Sequence, residues 1–216
     1  MAQSPTGLNA GVRRAALALA LALALALVLH AGLAAAGAQV YEPLSAAVQT
    51  QLQRTLADRA PTRLAFYDPY EGQVWLAAMS ARLARQIPDE TARTELLTAI
   101  HYEATRAGLD PQLVLGVIHI ESRFRKYAVS GAGARGYMQV MPFWVRTIGQ
   151  PDHNLFNLRT NLRYGCTILR HYLDIENGNV FRALGRYNGS LGQPEYPGMV
   201  KRAWEGVWAY STATGR

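Results

Sequence analysis

The chain has 216 residues, half of them hydrophobic, a formal charge of +7 and one cysteine. That length suits one main domain with an appendage, and a single cysteine excludes an internal disulfide. No recognised module and no dense Lys/Arg stripe is present, so the basic balance does not point to nucleic acid.

Arg13 and Arg14 precede an Ala/Leu run at 15–29, and the small-residue stretch AAAGA ends at Ala38. A positive start, an apolar middle and small residues before a cut make a secretory signal. Ala36 and Ala38 place the cut before Gln39. The alternative is an uncleaved membrane anchor, because 15–38 is long enough to span a bilayer. Either way the remainder is exported. Losing two arginines with the signal leaves a charge nearer +5; a basic exported protein suits an anionic polymer such as cell wall or a membrane surface, but ordinary solubility accounts for so mild an excess. Cys166 lies well inside the chain, so no cysteine follows the signal to carry a lipid.

The rest reads as helical. Leu44, Val48, Leu52 and Leu56 recur at helical spacing over 43–60, and Pro61 ends the run. Further helices are predicted over 74–87 and 92–108, the latter stopped by Gly108. Asp110 and Pro111 then cap and open a helix over QLVLGVIHIESRF. A loop follows from 131 to 136. Pro142 starts a short helix, 157–178 is a long amphipathic one, and VFRALGRYNG and PGMVKRAWEGVWAYS are the last two. No convincing strand and no internal repeat is seen.

Glycines 131, 133 and 136 in SGAGARGYMQVMP spell G-x-G-x-x-G. A dinucleotide site needs a strand before that motif and βαβ surroundings, and here a helix precedes it. Asp152 stands at a suitable distance, but no strand carries it. The loop also lacks the Gly-Lys-Ser/Thr ending of a phosphate-binding loop. The glycines are expected to let the backbone turn tightly and approach something else.

The residue that matters beside this loop is Glu121. It ends a helix in which Leu113, Val114, Val117 and Ile118 stack over the preceding turns. Desolvation raises a carboxyl pKa, which a general acid near neutral pH needs. The bland alternative pairs Glu121 with Arg123 or Arg125, or leaves it in solvent at a frayed helix end.

Read together, ESRFRKYAVSGAGARGYMQVMP and RYNGS resemble the soluble lytic transglycosylase (SLT) domain, a lysozyme-like family that cleaves peptidoglycan. Glu121-Ser122, Ser130, GARGYMQVMP and Tyr187-Asn188 stand in the family's order and spacing, over roughly residues 92 to 190. Two departures stand out. Tyr137 replaces the usual Leu, and YNGSLG replaces the commoner Tyr-Asn-Ala-Gly. Both bear on sugar preference more than on chemistry. The resemblance implies an all-α, lysozyme-like domain at 91–213 in the periplasm, preceded by an accessory helical segment at 39–90 and the signal at 1–38.

It also implies a mechanism without a second carboxylate, although Asp152, Asp174, Glu176, Glu195 and Glu205 follow Glu121. Glu121 protonates the glycosidic oxygen between N-acetylmuramic acid and N-acetylglucosamine. It then serves as base on the muramyl C6 hydroxyl, giving a 1,6-anhydro product. Tyr187 hydrogen-bonds Glu121, Ser130 and Gln139 bind the muramyl sugar, Met141 lines the groove, and Asn188 fixes that corner. Taken singly, these are a core tyrosine, a turn serine, a surface amide, a core methionine and a helix cap.

No metal or other cofactor is expected, since the histidines 101, 119, 153 and 171 form no i, i+4 pair and no Cys-x-x-Cys accompanies them. His119 reads as a satisfied core histidine, Cys166 as a small hydrophobe, and Trp204 and Trp208 as core. Peptidoglycan strands are the expected partner of a monomer. An envelope or secretion-machinery protein is a further partner class, sought at 39–90. The competing functions are a hydrolytic muramidase, as in goose-type lysozymes, and an inactive glycan-binding scaffold.

Overall fold

The structure, a computed structural model, describes residues 39–57 and 62–211. The predicted signal at 1–38 and the predicted stop at Pro61 lie outside the described residues. The described residues carry eight α-helices and no strand: α1 Ala46–Ala57, α2 Pro69–Leu83, α3 Glu90–Arg106, α4 Pro111–Glu121, α5 Phe143–Ile148, α6 Leu158–Ile175, α7 Val180–Asn188 and α8 Glu195–Arg202. A π-helical turn, Ala203–Val207, continues α8. The all-helical expectation holds.

Helix starts follow local chemistry. Asp68, Asp89 and Asp110 stand before α2, α3 and α4, and each accepts a backbone N–H of the first turn. Pro69 and Pro111 occupy first helical positions, where no N–H is needed. Asn157 and Asn179 cap α6 and α7 in the same way.

α4 is the centre of the fold. Six of its residues, Leu113 to Ile118, are buried together with Glu121. α3 packs on it, and so do α8 and the π-turn. Gly116 gives α8 room: a Cβ there would stand 3.2 Å from the Trp204 nitrogen and the Val200 carbonyl. α6 lies between α3 and α7, and α1 rests on α5 and α6. Glu103, fully buried, ties this side together. It pairs with Arg106 at 2.8 Å and Arg163 at 2.9 Å. The same arginines donate to the Thr55 and Leu56 carbonyls at the end of α1, so one buried ion cluster also caps a neighbouring helix.

Several predicted ends shift. The helix predicted over 74–87 runs Pro69–Leu83, because Asp68 caps it and Pro69 opens it. The helix expected to run on through Arg123 and Phe124 stops at Glu121, because both residues are left-handed, with φ of 50° and 61°. Phe124 is buried against Trp208, ring centroids 5.2 Å apart. That contact holds a conformation which costs a bulky residue about 1–3 kcal/mol. The last helix begins two residues before Pro197, and this brings Tyr196 into it.

The loop after α4 is an ordered double turn. Arg135 and Val140 exchange both backbone hydrogen bonds at 3.0 Å, and Gly136 donates to the Ala128 carbonyl at 2.9 Å. Gly136 has φ +75°, and a Cβ there would lie 2.6 Å from the Leu155 carbonyl and against the Asn161 amide. Gly136→Ala should therefore lower the unfolding free energy by roughly 2–3 kcal/mol in urea titration. A change below about 0.5 kcal/mol would show that the loop relaxes freely.

Candidate active site

Glu121 is 5% exposed at the last turn of α4. Its Oε1 accepts from the Tyr196 hydroxyl at 2.6 Å, whereas its Oε2 is buried with no protein partner. Burial raises the carboxyl pKa from 4.5 to about 8, and the Tyr196 hydrogen bond opposes the rise. A proton is thus held at neutral pH. With Oε1 occupied as an acceptor, it belongs on the free Oε2. Neither Arg123 nor Arg125 pairs with the carboxyl; Arg125 donates instead to the Ser122 carbonyl.

Tyr187 is fully buried on α7, but the expected bond to Glu121 is not made. Its hydroxyl donates to the Met138 carbonyl at 2.8 Å. The tyrosine on the acid is Tyr196, from the next helix. Tyr187 still faces the carboxyl, which contributes to holding its phenol well above the usual range behind the larger effect of burial. The Tyr-Asn motif therefore clamps the loop, while a tyrosine outside it orients the acid. Tyr196 has one sequence signal: it is spaced i, i+4 with Val200, an apolar pair on the face that α8 turns to α4.

Gln139 is buried, not a surface amide, and is left-handed at φ 48°. Both amide hydrogens are committed, to the Ala128 carbonyl at 3.1 Å and the Gly136 carbonyl at 2.9 Å. Ser130 is half-buried, and its Oγ accepts from the Ala134 N–H at 3.1 Å, closing the turn. Met141 is half-buried against the core. Asn188 is buried at the last residue of α7, where Gly189 at φ 81° supplies the helix stop. Glu121, the loop and the α7–α8 tyrosines therefore form one connected region.

The candidate second carboxylates have other commitments. Asp174 pairs with Arg170 at 2.7 Å, and Glu205 pairs with Lys201. Arg182 and Arg186 bracket Glu176, and their hydrogen bonds lower its pKa. Glu195 and Asp152 are exposed. Trp208 is buried and donates to His119 Nδ1 at 3.1 Å, as a core pair should. Trp204 is half-buried and donates to Asp110. Cys166 is fully buried, which pushes its thiol far up and away from nucleophilic use. Size alone does not mark the site. A cavity of about 690 Å³, lined by Gln53, Asp152, His153, Arg163 and Tyr164 among others, touches neither Glu121 nor the loop motif.

Residues 98–198 match the family model described as the transglycosylase SLT domain. Within that stretch the chain matches the SLT domain. The match holds Glu121, the whole loop, Tyr187 and Tyr196, and leaves α1 and α2 outside. The chain is similar to a transglycosylase of Enterobacteria phage PRD1, 37% identical over 101 residues, covering 44% of this chain and 37% of that protein. It is also similar to a membrane-bound lytic murein transglycosylase C of Actinobacillus pleuropneumoniae, 43% identical over 92 residues, covering 37% of this chain and 24% of that protein. The chain thus spans well under half the length of these relatives. A solved lytic transglycosylase Slt from Pseudomonas aeruginosa, an inactive mutant, aligns at 24% identity and TM-score 0.40 over 77% of this chain and 33% of that one.

The raised pKa of Glu121 makes the protein's stability depend on pH. Below 4.5 the carboxyl is protonated both folded and unfolded, and it imposes no penalty. As pH rises from 4.5 to about 8, the unfolded chain ionises and the folded one does not, so stability falls. Glu121→Gln removes the titration. It should stabilise the protein by an order of a few kcal/mol at pH 8 and by almost nothing at pH 4. Melting curves at the two pH values check this, and a gain equal at both would refute the buried, protonated carboxyl.

Proposed function

We propose that the chain is a peptidoglycan lytic transglycosylase. It cleaves the β-1,4 bond between N-acetylmuramic acid and N-acetylglucosamine without water and releases 1,6-anhydromuramyl products. The state of Glu121 supports this most: a carboxyl with pKa about 8 and an unpartnered Oε2. At pH 7 roughly nine in ten molecules carry the proton. The glycosidic oxygen takes the place of the missing Oε2 partner and receives that proton. The substrate's N-acetyl group supports the charge growing at C1. The glutamate left behind is a strong base for a carboxylate, because burial disfavours its ionised form. It removes the C6 hydroxyl proton as that oxygen closes on C1. A nucleophile tethered to its electrophile gains the effective molarity of an intramolecular reaction, and proton transfer adds about 10²–10⁴-fold.

In this reading Ser130 turns its hydroxyl hydrogen to the muramyl sugar, and Gln139 offers Oε1, its remaining polar atom. Met141 lines the groove and Asn188 steadies its corner. The chain acts in the periplasm after export, with 1–38 as signal, 39–90 as accessory segment and 91–213 as catalytic domain. It serves wall turnover or local opening of the wall for an envelope machine.

Product analysis tests the chemistry. Purified peptidoglycan incubated with the protein should yield anhydromuramyl ends by mass spectrometry, and Glu121→Gln should yield none. Reducing ends would make water the nucleophile. Binding without cleavage by both proteins would leave a scaffold. Tyr196→Phe removes the hydrogen bond that lowers the Glu121 pKa. The alkaline limb of kcat/KM, set near pH 8 in the wild type, should then move to higher pH, with the plateau reduced about tenfold by lost orientation. An unmoved limb would remove Tyr196 from the acid's control.

A further inference from the structure

Gln39 opens the described chain and behaves unlike its neighbours. Val40 and Tyr41 are more than half exposed, yet Gln39 is only 4% exposed. Burying a neutral amide is costly unless its hydrogen bonds are replaced. Here its Oε1 accepts twice from a segment over a hundred residues away, from the Trp144 indole at 2.9 Å and the Met141 N–H at 3.4 Å. Its Nε2 is buried without a partner, and the amide lies close enough to the Tyr187 hydroxyl to act on it. The next residues continue as a strap. Tyr41 packs edge-on to Phe143 at 5.5 Å, Glu42 pairs with Arg186 at 3.1 Å, and the Gln49 amide donates to the Thr147 carbonyl.

These contacts converge on one wall. Residues 138 to 144 are held at Met138 by Asn161 and Tyr187, and at Met141 and Trp144 by Gln39. Asn161 and Tyr187 lie within the matched domain; Gln39 lies far outside it.

We infer that Gln39 is a positioning residue of the SLT site, setting the Met141–Trp144 end of the loop wall through its Oε1; this rests on the glycan-cleaving reading above. The first residues after the apolar segment are then part of the catalytic unit. A domain cut to the matched region would hold its loop at one end only.

The test uses the full chain carrying Gln39→Ala or Gln39→Glu, with each purified N-terminus checked by mass. Glu keeps an acceptor for both donors. Two readouts are taken: turnover of uncross-linked glycan strands, and NMR hydrogen exchange at the Met141 amide and Trp144 indole. Gln39→Ala should raise KM about tenfold, keep kcat within about twofold and leave the pH profile unmoved, since Glu121 is untouched. Exchange at both groups should quicken at least about tenfold, while α4 amides stay protected. Gln39→Glu should restore most of both. Unchanged KM and exchange in Gln39→Ala would overturn the inference. So would faster turnover, which would make the strap an obstruction, or a fall in kcat and melting temperature at constant KM. A wild type that cleaves nothing would sink the enzymatic reading instead, and exchange would still decide whether Gln39 holds the loop.

Discussion

Everything at this site depends on placing one carboxyl in a dry environment without giving it a countercharge. Glu121 ends a helix that is buried almost throughout, and its one protein hydrogen bond comes from a neutral phenol. An arginine at that point would hold the group ionised; a tyrosine orients it and moderates its pKa. The chain uses the other solution at Glu103, where two arginines meet a fully buried carboxylate and tie three helices together. One buried acid is tied to two guanidinium groups, the other to a neutral hydroxyl, and the difference is the partner.

The sharp end of α4 serves the same purpose. Two consecutive left-handed residues, Arg123 and Phe124, turn the chain immediately after the acid. Continuing the helix would carry Ser122 and Arg123 forward along the same axis, and the loop would begin farther from Glu121. Burial of Phe124 against Trp208 offsets the backbone cost. The π-turn that precedes Trp208 helps deliver that ring, with Trp208 donating its backbone N–H to the Ala203 carbonyl at 2.9 Å. Structure at the C-terminal end thus fixes geometry at the centre.

The loop glycines also acquire a physical meaning. Gly133 and Gly136 have positive φ, and Gly136 has no space for a side chain because Asn161 and Leu155 press on it. Asn161 uses its amide on the Arg135 and Leu155 carbonyls and accepts from Met138. The first close neighbour of this backbone is therefore the protein itself. A sugar would meet a wall already rigid.

Much of this was legible in sequence. The helix start at Asp110 and the apolar character of α4 are local properties, carried by a capping side chain and by hydrophobic spacing, whereas the caps at Asp68 and Asp89 lie before the predicted starts at 74 and 92. The desolvated glutamate followed from the same spacing, and the family resemblance from linked motifs between Glu121 and Asn188. What sequence left open was partnership. Whether Tyr187 or Tyr196 reaches Glu121 depends on how α7 and α8 cross α4, and nothing in their order along the chain encodes a hydroxyl's direction. In the sequence Gln39 is only the residue after a predicted cut, because a lone polar side chain gives no periodic signal. Local patterning determined the elements and the acid; long-range packing, which alone brings residue 39 to 144 and residue 196 to 121, decided what each polar atom touches.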